Sequence, residues 1–416
     1  MARCFALALL LLAATAPMAL ADPGPRTAGP AEDDGLAIKS ADGASRLHIG
    51  AFLQADARYF ADDDAKLYVD QLTFRSLRLQ LDATLADHVE VRVLPDFASG
   101  KVVIQDAYID LRYIPGIKIR IGKQKIPFGY ERLQNEGTTI LAERGLPTQL
   151  APNRDVGAAL YGTPTPYLDW QLGVFDGVPD GALTDGDVSD QKEFAARVLV
   201  RPLPCWGRWQ GLAVGGAATY GYTHGTVTTP DLPVYKTSGQ TSLFQFPVGT
   251  TAADTALADG RRWRVTAQGS WFGGPIGILA EYVRTTEAVT LGATHGDVTA
   301  AAWQGAVQWV VTGDDATYRS VVPREPFDPA KGHWGAVDVV ARFDELNIEP
   351  DAFDAGLAAG AKSARRARGY TVGADWFWSR TVRLALDLER TTFTLGAKAG
   401  DRPDEDLILG RVQVAF

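Results

Sequence analysis

The chain has 416 residues, with 41 Lys and Arg against 50 Asp and Glu, for a net charge of −9. Its two Cys, one of them Cys4 near the start, exclude a disulfide scaffold and a metal-thiolate cluster. The acidic balance argues against a general nucleic-acid binder, and the 46% hydrophobic content argues against disorder.

Residues 1–21 read as a secretory signal. Arg3 supplies the positive start, Phe5 to Thr15 the apolar core, and Ala19-Leu20-Ala21 the small-residue cleavage pattern. An anchoring helix is the alternative, but the run is shorter than the about 20 residues of a membrane span. Residues 22–45, rich in Pro, Gly and Asp, read as a flexible periplasmic lead-in.

From residue 46 onward the dominant signal is period two. In Arg262-Trp263-Arg264-Val265-Thr266-Ala267-Gln268-Gly269-Ser270-Trp271, polar residues alternate with apolar ones or Gly; Leu384, Leu386 and Leu388 alternate with Arg383, Ala385, Asp387 and Glu389. Such alternation marks strands with one apolar and one polar face. Sixteen segments fit: 46–60, 68–85, 88–94, 102–114, 117–125, 155–162, 167–175, 193–201, 212–223, 262–272, 276–286, 299–311, 334–346, 369–378, 382–393 and 407–416. Short connections (Asp87, Pro115-Gly116, Gly273-Gly274-Pro275, Ser379-Arg380) alternate with long ones (126–154, 176–192, 224–261, 347–368). An even strand count with short turns at one end and long loops at the other predicts an all-β fold, a transmembrane antiparallel barrel of about sixteen strands over 46–416.

Aromatics near segment ends (Tyr59, Phe60, Tyr68, Tyr161, Tyr167, Trp170, Trp271, Phe272, Trp334, Trp376, Phe377, Trp378) suit membrane-interface girdles. A soluble sandwich also alternates, but seldom needs sixteen long strands. The terminal strand ends on Phe416, as outer-membrane barrels commonly do. Ala352 to Ala367, with Arg365, Arg366 and Arg368, reads as a solvated loop or a short helix within one.

Alternation also assigns inward positions. The basic set is Arg78, Arg92, Arg112, Lys118, Arg120, Arg197, Arg262, Arg264, Arg342, Arg383 and Arg411. The acidic set is Asp82, Glu90, Asp106, Asp110, Glu193, Asp338, Asp344, Asp387 and Glu389. This mixed wall predicts a solvated lumen with little selectivity of its own. The stretch 112–154 differs, holding Arg112, Lys118, Arg120, Lys123, Lys125, Arg132, Arg144 and Arg154 against Glu131, Glu136 and Glu143. Rings of Arg and Lys select anions in pores, and Arg grips a phosphate or carboxylate with two parallel hydrogen bonds. The competing role is pairing with Glu131, Glu143 and Asp155 to pin a loop to the wall.

Gly122-Lys123-Gln124-Lys125-Ile126-Pro127-Phe128-Gly129-Tyr130-Glu131-Arg132, followed by Leu141-Ala142-Glu143-Arg144, resembles the signature of the phosphate-selective porin O and P family of Gram-negative outer membranes. Leu47 to Asp56, Phe74-Arg75 and Gln105-Asp106-Ala107-Tyr108 are similar to it as well. The resemblance implies a sixteen-stranded barrel, usually trimeric, whose third loop folds inward and narrows the channel. It implies an Arg ladder position at Arg75, a constriction Asp at Asp106, a constriction Arg at Arg144 and a basic position at Arg132. Ala51 and Ser76 stand where phosphate-selective members carry Arg, and Lys is missing around Asn135-Glu136-Gly137.

No catalytic or metal site is expected. His48, His88, His224, His295 and His333 lack ligand spacing, and neither a nucleophile elbow nor a phosphate-binding Gly loop occurs. The acid-rich segment Asp176 to Asp190 lacks the ligand order of a calcium loop. The expected function is passive diffusion of small anions, phosphate or phosphate-containing solutes, through an outer-membrane porin without cofactors. Arg75, Asp106, Lys123, Lys125, Arg132, Arg144 and Arg154 are the constriction candidates, and Arg78, Arg92, Arg112, Arg120, Arg262 and Arg264 line the wall. A weakly selective nutrient porin is the alternative, and a barrel scaffold for an enzyme or adhesin a more remote one. Expected partners are small anions, outer-membrane lipid and two further copies in a homotrimer, with no nucleic acid.

Overall fold

A computed structural model describes residues 36–61, 63, 66–98, 100–186, 190–203 and 207–416. The signal expected over 1–21, most of the expected lead-in and Cys205 lie outside the described residues.

Sixteen antiparallel strands, from Arg46–Ala61 to Glu405–Ala415, form a barrel. The first strand pairs with the last, Phe52 opposite Ala415 and Ala61 opposite Asp406, so the sheet closes without an edge. All sixteen expected segments are barrel strands. Closure lets every strand satisfy its backbone within the wall, which a lipid-facing sheet requires.

The period-two pattern is laid out opposite to that of a soluble protein. Arg262, Arg264, Thr266 and Gln268 are buried inside, while Val265 and Ala267 of the same strand are exposed outside. Leu386 and Leu388 face out between buried Asp387 and Glu389. The outer face offers apolar surface to lipid, and the inner face holds the charge.

Four details differ from expectation. Leu36–Lys39, inside the expected lead-in, is a strand pairing with the first barrel strand, Leu36 opposite Ile49. At 352–367 the short helix of the second expectation forms as Asp351–Asp354, but the strand Ala364–Phe377 begins within the stretch, earlier than the expected 369. Its arginines join a hairpin that outlasts the apolar part of the wall, with Arg368 Nε 2.5 Å from Glu345 Oε2. The aromatics do not all form girdles. Phe60 and Phe377 are buried on the inner face, Phe60 stacked on Tyr68, and Tyr161 donates to Gln124 Oε1. Neighbours in sequence, such as Tyr59 and Phe60, necessarily take opposite faces.

Connection lengths also alternate less regularly than expected. At the loop end, Ile276–Leu291 turns directly into Thr294–Val310. At the end carrying the termini, 311–335 is long and reaches into the lumen. There Tyr318 packs against Tyr130 with ring centroids 4.7 Å apart and the rings tilted by 36°, and its hydroxyl donates to Tyr130 O at 2.7 Å.

Two loops from the opposite end also fold inward. Loop 126–153 crosses the lumen, and 225–256 packs on it. Ile126, Phe128, Leu146 and Leu150 share a buried cluster with Tyr235, Leu243, Phe244 and Phe246. This apolar core lies inside the barrel, between loops and wall.

Gly122 lies in strand Ile117–Lys125, just before loop 126–153. Its φ is 125°, and a Cβ there would collide with Ala107 O of the neighbouring strand. Gly122→Val therefore strains the backbone by about 1–3 kcal/mol. We expect it to lower the unfolding midpoint of the detergent-folded barrel, read as heat-dependent migration on SDS gels.

Candidate functional site

The inward loop begins as strand Ile117–Lys125 ends. Lys125 Nζ donates to the carbonyls of Arg132, Leu133 and Gln134, at 3.0, 3.3 and 2.6 Å, closing the short helix Tyr130–Leu133. These are the orphan carbonyls every helix end leaves, here capped by a cation. From there the loop touches the wall at one strand after another. Tyr130 N donates to Glu281 at 2.5 Å, Ala142 N to Asp387 at 2.8 Å and Leu146 N to Asp344 at 3.2 Å. Wall cations take the carbonyls: Arg383 binds Thr139 O at 2.7 Å, Arg342 binds Glu143 O at 2.8 Å, and Arg411 binds Ala142 O. The expected third-loop fold is thus held by inward-facing charges.

The loop divides the lumen into two chambers. The upper chamber, toward the loop end, is a cavity of about 560 Å³ lined by Arg75, Arg78, Arg132, Arg144 and Lys236 against Asp96, Glu136, Glu143 and Asp180. The lower chamber, toward the termini, is about 230 Å³. Its lining holds Lys118, Arg120, Lys125, Arg197, Arg201 and Arg319 against Asp169 alone. The upper chamber is nearly balanced in charge and the lower one is strongly basic.

The seven constriction candidates separate accordingly. Arg75, Arg132 and Arg144 meet in the upper chamber, and Lys125 lines the lower one. Asp106 is bound to Arg154 at 2.8 Å, and Lys123 is paired with Asp185 of loop 176–192. Lys123 and Arg154 line neither chamber.

Two of the four upper arginines are neutralised. Arg75 Nε lies 2.7 Å from Glu143, Arg78 Nε lies 2.7 Å from Asp96, and Arg78 also pairs with Glu136. Arg132 and Arg144 are different. Arg132 donates to Thr148 O. Arg144 donates to Glu131 O at 3.1 Å and Gln134 O at 2.8 Å, with Glu136 at 3.6 Å. Burial pulls both guanidiniums below their ordinary values, with Arg144 adding to the effect on Arg132, and Arg154 and Arg75 adding to the effect on Arg144. Both have less carboxylate pairing than Arg75 and Arg78. The expected pinning by Glu131, Glu143 and Asp155 takes another form: Arg132 and Arg144 hold backbone carbonyls, while Asp155 accepts from the amides of Val156 and Gly177.

Of the wall residues, Arg78, Arg92, Arg120, Arg262 and Arg264 are buried on the inner face. Arg112 is only partly buried and pairs with Glu90 at 2.6 Å. Arg120 forms two bonds to Asp110, at 2.6 and 2.7 Å, and lies 3.5 Å over the Tyr108 ring. Asp56 and Arg58 were missed, although they alternate with Ala55 and Ala57. They join Arg411 and Glu143 in a buried network. Tyr318 was also missed, because its segment carries no periodic signal.

Burial alone would raise the carboxyl of Glu143, but Arg75, Arg411 and Arg58 outweigh it and hold it below the usual carboxylate range. Arg78, Arg144 and Arg75 do the same for Glu136. A folded value below the unfolded one, about 4.3 for Glu, contributes stability above that value and loses it as pH falls through the folded one. Glu143→Gln should therefore cost about 1–3 kcal/mol at neutral pH by leaving charged donors unpaired. The gap in unfolding midpoint between variant and native protein should hold from neutral pH to about 5 and close in stronger acid.

Solved structures similar to this fold include outer-membrane proteins. An outer-membrane OmpT of Vibrio cholerae superposes with a TM-score of 0.59 at 14% identity, covering 92% of this chain and 100% of that one. An in-vitro folded OmpT from the same organism is described in a trimer form, at 0.53, 13% identity, 90% of this chain and 100% of that one. The outer-membrane channel DcaP of Acinetobacter baumannii gives 0.57 at 12% identity, with 91% and 99% covered. No curated protein matches the sequence. The family described as phosphate-selective porin O and P matches residues 48–416. A closed barrel, a loop folded across its lumen and this match over nearly the whole described chain place the protein in that family, as an outer-membrane channel.

Proposed function

We propose that the channel passes small anions, phosphate and phosphate-containing solutes among them, by passive diffusion. The observation that supports this most directly is the pair Arg132 and Arg144. Both line the upper chamber, and both are held mainly by backbone carbonyls rather than carboxylates. In a narrow lumen of low effective dielectric, such charge acts more strongly than on an open wall. An anion gains bidentate hydrogen bonds there without having to displace a tight ion pair.

A weakly selective nutrient pore is the second reading. Its support is the neutralised wall: Arg75 on Glu143, Arg78 on Asp96 and Glu136, and Ala51 and Ser76 at positions where the family resemblance implies Arg. We further propose that residues 1–21 direct export and are removed, that 46–416 are the porin domain, and that the barrel assembles as a homotrimer in outer-membrane lipid. The trimer form described for one structural neighbour supports the last point.

Planar-bilayer recording of the refolded protein separates the two readings. Under a KCl gradient the reversal potential should show anion preference, and added phosphate should reduce the current. Arg144→Glu should move the reversal potential toward cations and weaken the phosphate effect. An unchanged reversal potential in that variant would leave the weakly selective pore as the better description.

A further inference from the structure

The lower chamber holds a buried guanidinium, Arg197, with no carboxylate among the described residues within ion-pair distance. Arg197 donates from Nε and Nη2 to the single acceptor Gln268 Oε1, at 3.3 and 3.1 Å, and among the described residues forms no ion pair. Its neighbours are committed. Arg120 and Lys118 share Asp110, and Arg201 holds Asp169 at 2.8 Å. The Glu281 carboxylate accepts from the amides of Tyr130 and Glu131. Among the inner-wall arginines buried on strands, Arg58, Arg78, Arg120, Arg154, Arg262, Arg264, Arg342, Arg383 and Arg411 each have a carboxylate. A buried charge left unmatched is costly unless a ligand completes it.

Two further observations converge on the same cavity. Gln134 Oε1 and Gln171 Oε1 are buried acceptors with no donor, and both side chains line it. Such acceptors call for a hydroxyl or an N–H. The cavity is also walled by rings. Tyr130 and Tyr318 pack at 4.7 Å, Phe272 meets Tyr318 edge-on at 6.4 Å, and both tyrosine hydroxyls are already bonded, to Ser270 and to Tyr130 O. What these rings still offer is apolar surface. A volume of about 230 Å³ suits a single-ring molecule.

From this chemistry we infer a second solute site, between loop 126–153 and segment 311–335, for a small hydroxylated aromatic carboxylate. Its carboxylate engages Arg197, its ring lies against Tyr130, Tyr318 and Phe272, and its hydroxyl donates to Gln134 or Gln171. A flat carboxylate suits the guanidinium fork. This site is separate from Arg132 and Arg144 and does not depend on phosphate preference in the upper chamber.

Titration calorimetry of the detergent-solubilised barrel with 4-hydroxybenzoate tests it, with benzoate, cyclohexanecarboxylate and inorganic phosphate as comparison ligands. We expect 4-hydroxybenzoate to bind most tightly, benzoate to lose affinity for want of the hydroxyl, and cyclohexanecarboxylate to be weaker still. Arg197→Gln should weaken binding about tenfold or more. Tyr318→Ala should weaken it too, and Gln171→Leu should narrow the gap between 4-hydroxybenzoate and benzoate. Should Arg197→Gln fail to fold, Tyr318→Ala and Gln171→Leu carry the test. Native protein that binds none of the aromatic acids, or binds them unchanged in the folded variants, overturns the site. A failure of anion preference in the upper chamber would show instead in the bilayer recording, with calorimetric binding intact.

Discussion

The structure depends on how an irregular loop is kept inside a barrel at membrane depth. Loop backbone carries N–H and C=O groups that no sheet or helix satisfies, and leaving them unpaired is costly. Here the wall supplies the partners. Glu281, Asp344 and Asp387 accept from loop amides, while Arg342, Arg383, Arg411 and Lys125 donate to loop carbonyls. Polar side chains inside the barrel thus serve two ends. They solvate the lumen, and they hold the element that narrows it.

The consequence for selectivity is subtractive. A count of Lys and Arg along 112–154 overstates the positive field, because Arg120, Arg154 and Lys123 are matched by acids from other elements. What remains to act on a solute is whatever the scaffold leaves uncompensated. In the upper chamber that includes Arg132 and Arg144. In the lower chamber it includes Arg197, beside acceptors that lack donors. Charge left over after the loop has been pinned is therefore a better guide to solute contact than total charge.

Segment 311–335 extends the same logic from the opposite end. Gln134 of the inward loop donates to Tyr318 O at 2.7 Å, and Tyr318 returns a bond to Tyr130 O. The loop is therefore supported by the wall around it and by this segment beneath it. The lower chamber owes its aromatic side to that contact.

The strands were legible from sequence because period-two alternation is a local property, and a closed barrel asks each strand for nothing more. Leu384 to Glu389 and Arg262 to Trp271 declare their faces without knowledge of their neighbours. Inward positions such as Arg264 and Asp387 followed from the same parity, and even the overlooked Asp56 and Arg58 carry the signal. Pairing did not follow. Arg75 with Glu143, Lys123 with Asp185 and Asp106 with Arg154 join residues 68, 62 and 48 positions apart. Closure of the barrel and the path of the loop set those distances. Tyr318 reaching Tyr130, and Arg197 remaining without an acid, likewise depend on which loops meet within the lumen. Sequence by itself determined the wall and its two faces, since alternation is written residue by residue. Tertiary structure alone decided which charges stay free, because neutralisation depends on proximity between segments far apart in the chain.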